Sequence, residues 1–263
     1  KAIYADLIAT LDKAIGNLQQ AVDGKMNNVA NQDLVFGGDM SQWLAAAYGL
    51  KARYLIHQSA VDNSVYAAAE AAAQKAIELG FAGMTITEFN GVTCDNPWSA
   101  FVWSRGYTAS STTVTNLMEK YNDPRIDLYL AGGEAFNPGD AEGARLSWSP
   151  SYPVWFDLGS QPIHLLSQAE VYFILAETQL RQGKDATEAF QAAVASSVAD
   201  IMNICGEDAS VAADYAASLG APTLQTLFEQ KYLAQIVDEQ VETFNDMRRC
   251  EAMGENWIKL TNP

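Results

Sequence analysis

Two stretches of this 263-residue sequence carry its most chemically useful side chains: NPWSAFVWSRGY at 96–107 and LSWSPSYPVWF at 146–156. They hold four of the six tryptophans, Trp98, Trp103, Trp148 and Trp155, together with Tyr107, Tyr152 and Phe156. A sugar ring has an apolar C–H face that stacks on an aromatic plane, while its hydroxyls need polar neighbours. Aromatic residues on loops held by a rigid scaffold suit that chemistry, and a peptide ligand uses similar surfaces. Trp98, Trp103, Tyr107, Trp148, Tyr152 and Trp155 are therefore the stacking candidates. The same side chains could instead plug the loops onto a helical body as a small satellite core. The sequence leaves both roles open.

Catalytic patterns are missing. G-x-S-x-G, G-x-x-x-x-G-K-[ST], H-E-x-x-H and G-x-G-x-x-G are all absent. The two histidines, His57 and His164, have no companions at metal-ligand spacing and read as structural. Nothing selects a hydrolytic pair from the 32 acidic residues. Glu170 and Glu177 lie two turns apart on one helix, but Glu170 fits a capping role. Cys94, Cys205 and Cys250 form no CxxC, and their odd number excludes a closed disulfide framework. DNSVY and NGVTCDN bear oxygens without EF-hand spacing. No catalytic residue, metal or cofactor is expected. Arg248 and Arg249 read as partners for acids and for terminal carbonyls, and Asp123-Pro124-Arg125 as a turn that Arg125 bridges. A net charge of −16 argues against nucleic acid or an anionic membrane as partner.

The elements that must position these residues are helices. Leu7, Leu11, Ile15, Leu18 and Val22 form one face of a helix over about 3–22. Asp39 and Gln42 open a second helix that reaches about Gln58, and a third, rich in alanine, covers Ser64–Leu79 and stops at Gly80. From Phe81 to Pro162 the chain turns rich in Gly, Pro, Ser, Thr and Asn, with six of the eight prolines. One helix, about Thr113–Tyr121, is expected there among long loops and short strands. Ordered loops of such length are uncommon without a functional reason. Ser167 and Glu170 then start a helix that Gly183 ends. Asp185 caps the next, to about Cys205, and further helices cover Val211–Leu219 and Thr223–Met253, the last broken near Asp238. Two segments, starting LKARYLIH and QAEVYFIL, each read as a bulky helix, a tight turn and a small-residue helix. The fold expected is all-α, TPR-like hairpins forming an α-superhelix, as one domain over 1–263 with a loop-rich insertion at about 81–163.

Four stretches in order resemble the SusD/RagB family of outer-membrane nutrient-binding lipoproteins of Bacteroidetes. They are FGGDMSQWLAAAYGLKARYLIH, YNDPRIDLYL, SQAEVYFILAETQLRQG and FEQKYLAQIVDEQVETFNDMRRCEAMG. Tyr48 and Gly49 stand where the family more often has an Asn-Ser pair. The resemblance implies a non-enzymatic surface protein that captures a glycan or oligosaccharide, passing it to a TonB-dependent SusC-like transporter. It further implies a lipid anchor on an N-terminal segment outside this chain, and a C-terminus beyond Pro263. Two other classes stay open: a TPR-like scaffold for a protein or peptide, and a helical glycoside hydrolase.

Overall fold

Helices begin where short polar side chains can take up free backbone N–H groups. In the computed structural model, which describes residues 2–25, 30–105, 108–139 and 152–258, α1 spans Ala2–Gly24, α2 Met40–Ile56 and α3 Val65–Glu78. Asp39 opens α2 by accepting from the backbone N of Ser41 at 2.8 Å and of Gln42 at 3.3 Å. Strand β1 (Met84–Ile86), α4 (Pro97–Arg105), α5 (Thr112–Tyr121), α6 (Ile126–Leu130) and β2 (Ile163–Leu166) follow. Then come α7 (Gln168–Arg181), α8 (Thr187–Cys205), α9 (Val211–Ser218), α10 (Leu224–Gln235) and α11 (Gln240–Ala252). Ser111, Ser167 and Thr223 cap α5, α7 and α10 through backbone N–H groups at 3.0–3.2 Å. Asp185 departs slightly from expectation. The N-cap of α8 is Ala186, and Asp185 instead takes the Thr187 backbone N at 3.0 Å from one residue further out.

The helices stack in sequence: α1 on α2, α2 on α3, α3 on α7, α7 on α8 and α8 on α9. This is the superhelix of antiparallel hairpins that the patterning implies. α7 is its centre, with Val171, Phe173, Ile174 and Ala176 fully buried. Each large apolar side chain taken out of water there contributes about 1.5–3 kcal/mol. Ala69, Ala73 and Ala76 on α3 are also fully buried, small enough to let α2 and α7 come close. Gly49 shows why no side chain replaces it mid-helix in α2. A Cβ there would sit 2.8 Å from Leu166 Cδ2 and 3.3 Å from Val171 Cγ2. α1 contributes no fully buried residue. Among the described residues, no helix is long and apolar enough to cross a membrane.

The described part of the segment at 81–163 is more ordered than its composition implies. Besides α5 it contains α4, α6 and a short 3₁₀ turn at Val154–Asp157. Its neck is closed by β1 and β2, antiparallel, with Thr85 facing His164 and Ile86 facing Ile163. Asp123 and Arg125 pin it to the body as well. Buried Arg125 donates to both Asp123 oxygens, at 2.9 and 2.6 Å, and to Ser197 Oγ on α8 at 2.7 Å. A second apolar cluster joins Val102, Val114, Met118, Tyr129, Trp155 and Phe156 to Ile201, Leu233 and Val237 of the body.

Candidate functional site

The structure separates the six stacking candidates. Trp155 is wholly buried, its ring 6.1 Å from that of Tyr129 and 6.2 Å from that of Phe156. It is the plug of the second cluster and offers no face to a ligand, which corrects its candidacy. Trp98 is half-buried and stacks on Phe156, rings 5.1 Å apart and 21° from parallel. Tyr152 is half-buried, and its hydroxyl donates to Asp157 Oδ1 at 3.3 Å. Trp103 is 73% exposed, and Phe101 beside it 41%. Tyr107 and Trp148 lie outside the described residues.

Trp98 and Trp103 lie on a helix, not on loops. The step of five positions from one to the other turns them about 140° apart around α4, so one flat ligand cannot cover both rings. Three contacts fix α4. Asn96, fully buried, accepts from the Trp98 backbone N at 2.7 Å and donates through Nδ2 to the Gln161 carbonyl at 2.8 Å. Its own backbone N donates to the Gly159 carbonyl at 2.8 Å. Gly159 passes so near Gly91 that an added Cβ would lie 2.7 Å from the Gly91 Cα. Val102 and Ser99 bury the inner face of α4. Trp103 is thus an exposed ring on a braced helix, with the exposed carboxylates of Asp95 and Asp157 on the segments that brace it.

A second aromatic surface lies at α10 and α11, around a cavity of about 330 Å³. Phe228, Tyr232, Phe244, Met247 and Trp257 line it. Trp257 stacks parallel to Phe228 with centroids 6.1 Å apart, and its Nε1 donates to Glu255 Oε2 at 2.9 Å. Phe244 is 62% exposed and Val241 72%. The signal for this surface was an apolar i,i+3 pair on an otherwise charged stretch of α11. Trp257 follows the last helix and had no periodicity to reveal it.

Charges beneath this surface are paired. Arg249 donates to Glu177 at 2.6 and 2.5 Å and to Asp246 at 2.9 Å, and Lys231 meets Asp246 at 2.6 Å. Burial opposes the Asp246 charge, yet Lys231 and Arg249 hold its pKa down at about 2. Arg53 joins Glu170, through Nε at 2.8 Å, to Glu239 at 3.1 Å. Burial and the neighbouring Glu170 push Glu239 up to about 8, against the pull of Arg53. Exposed Arg248 pairs with Glu251 at 2.9 Å.

A family model described as starch-binding, associating with the outer membrane, matches residues 1–252. The chain belongs to the SusD-like family. Solved structures resemble this SusD-like chain over nearly all its length. A SusD/RagB family protein from Bacteroides thetaiotaomicron is 26% identical, with a TM-score of 0.80 over 100% of this chain and 63% of the other. A chitin-binding SusD homolog from Flavobacterium johnsoniae is 22% identical, with a TM-score of 0.72 over 94% of this chain and 59% of the other. A SusD homolog from Bacteroides ovatus is 21% identical, with a TM-score of 0.69 over 95% and 60%. The SusD-like chain therefore spans less than two thirds of the length of the structures it matches. No curated protein matches it.

Proposed function

We propose that this SusD-like chain binds a glycan by stacking sugar rings on exposed aromatic side chains, without breaking a bond. The observation that carries the reading is Trp103, an indole 73% exposed on a helix braced by a fully buried asparagine. Leaving so large an apolar ring in water is unfavourable unless something covers it. Trp98 offers a lesser face, since Phe156 covers one side of it. Binding of chitin by the related Flavobacterium johnsoniae protein supports a polysaccharide ligand. Buried Glu170, Glu177, Glu239 and Asp246 each face a cation, an arrangement that serves the frame rather than proton transfer. Membership of the family supports a wider role as a lipid-anchored protein at the outer-membrane surface that hands its glycan to a TonB-dependent SusC-like transporter.

Calorimetry against soluble starch and chitin oligosaccharides, with chromatography of the mixtures, tests this. Saturable binding with no new products is expected, weakened by Trp103→Ala. Product formation would make the chain a hydrolase. Capture of a peptide, with no affinity for any glycan, would make it a helical peptide scaffold. The cavity of about 330 Å³ at α10 and α11 supports a second location for the same ligand. Phe244→Ala would then weaken binding in place of Trp103→Ala.

A further inference from the structure

A cavity of about 240 Å³, apart from both aromatic surfaces, opens between the start of α7, α8 and the α10–α11 junction. His164, Ser196, Asp200, Asn203, Asp238 and Glu239 are among its lining residues. Its chemistry is opposite to that of the other surfaces, since it is built from carboxylates and small polar groups. The volume is below the roughly 300 Å³ at which pockets for drug-sized ligands begin, so only a single ring or a smaller molecule fits.

One group in it lacks a partner. The Asp238 side chain is 2% exposed. Its Oδ2 accepts from the His164 backbone N at 3.0 Å and faces His164 Nδ1 at 3.1 Å. Its Oδ1 is buried with no hydrogen-bond partner among the described residues. A buried oxygen left so costs about 1–3 kcal/mol, more when charged. The surrounding charges point the same way. His164 lies between Asp238 and Asp200, whose Oδ2 is 3.4 Å from its Nε2. One imidazolium thus serves two carboxylates. Glu239 spends its oxygens on Arg53 and Ser167. The cavity keeps a surplus of negative charge and an acceptor without a donor.

We propose that this cavity is a binding site for a small ammonium-bearing ligand of the size of an amino sugar, its N–H groups donating to Asp238 Oδ1 and Asp200. Nearby Asn203 and Ser196 suit ring hydroxyls. The site does not depend on the stacking surface, and its occupancy is expected to be independent of Trp103.

D-Glucosamine and D-glucose, which differ by an ammonium in place of one hydroxyl, are the probes. They are titrated into the chain at mildly acidic pH and followed by protein-observed NMR. Glucosamine is expected to saturate resonances of β2 and α8 at least about tenfold more tightly than glucose, a difference of about 1.4 kcal/mol. Asp200→Asn, whose side chain is 41% exposed and so leaves the fold intact, is expected to weaken glucosamine about tenfold. Asp238→Asn is expected to weaken it further, with a thermal melt reporting that the variant is folded. Equal affinity for the two sugars overturns the proposal, as does the absence of saturation or unchanged binding in Asp200→Asn. A loss of glucosamine binding in Trp103→Ala would move the site to the stacking surface and overturn it too.

Discussion

The helical body and the insertion bury polar and aromatic groups by different rules. In the body, charge is matched with charge across long sequence separations: Arg53 with Glu170 and Glu239, Arg249 with Glu177, Lys231 with Asp246. Among the described residues, the insertion closes around the ring of Trp155, with one buried pair, Asp123–Arg125, anchoring it to α8 through Ser197. The indole N–H of Trp155 and both polar atoms of the Gln161 amide are buried without partners among the described residues. A network of pairs fixes the register of many helices at once. A single plug fixes only the segment that wraps it.

The largest effect should therefore come from breaking the network. Arg249→Ala leaves Asp246 with Lys231 and Glu177 with only the longer contact to Arg181 Nε at 3.6 Å, a poorly compensated buried charge costing about 3–5 kcal/mol. Chemical denaturation should show this as a loss of stability of the whole body. Replacing Arg249 and Glu177 together by Met and Gln removes both members, and should recover most of it. If Arg249→Ala changes stability by less than about 1 kcal/mol, the contrast with the insertion fails.

Trp155→Ala comes next, at about 3 kcal/mol. That is the low end of the cost of emptying a core tryptophan site, because the substitution also removes an unpaired buried N–H. The loss should stay local. Hydrogen exchange is expected to rise across α4–α6 while α7 and α8 keep their protection. Equal loss in both regions would mean that the insertion folds as part of the body.

The same contrast explains what could be read from the sequence. The body's helices follow from apolar stripes and from caps at Asp39, Ser167 and Thr223, because 3.6-residue periodicity and capping are local properties. Arg249 was legible as a partner for acids, though which acids was not, since Glu177 lies 72 residues away. At Ser167 the local pattern was only half right. Its hydroxyl accepts from the Glu170 backbone N, but the Glu170 carboxylate goes to Arg53, and Glu239 takes the Ser167 backbone N instead. Tertiary charge displaced the reciprocal half of the capping box. In the insertion, α4 was missed because its N-terminal bond comes from Asn96 ahead of a proline and its inner face is short, Ser99 and Val102. Which of Trp98, Trp103 and Trp155 lie open to solvent depended on that helix and on Phe156, so composition alone could not sort them.

A smaller effect, at the seam between the two regions, should appear with pH. Burial disfavours the charged His164 ring, but Asp200 and Asp238 outweigh it and raise its pKa from 6.5 to about 10. The folded state thus holds this proton more tightly than the unfolded chain does. The stabilisation is complete below about 6.5 and is lost as pH rises towards 10. Glu239, raised from 4.5 to about 8, acts with the same sign in a lower window. Urea midpoints should fall from neutral to alkaline pH, and His164→Gln should flatten that fall above the Glu239 window. An unchanged slope would show that the seam does not rely on the His164 charge.

Trp103 tests the other side of the comparison, where the insertion carries a group that its own packing does not use. With the ring 73% exposed, Trp103→Ala should change stability by no more than about 0.5 kcal/mol. On the proposed function it should weaken glycan binding by about 0.5–1.5 kcal/mol, the contribution of one stacked aromatic ring, or about two- to tenfold in affinity. Phe244→Ala, an exposed ring at the α10–α11 cavity, is the matched control. Weakened binding with Trp103→Ala alone places the sugar on the insertion and leaves the body as its frame. Weakened binding with Phe244→Ala alone reverses that division, giving the charge-paired body the ligand and the insertion only its plug.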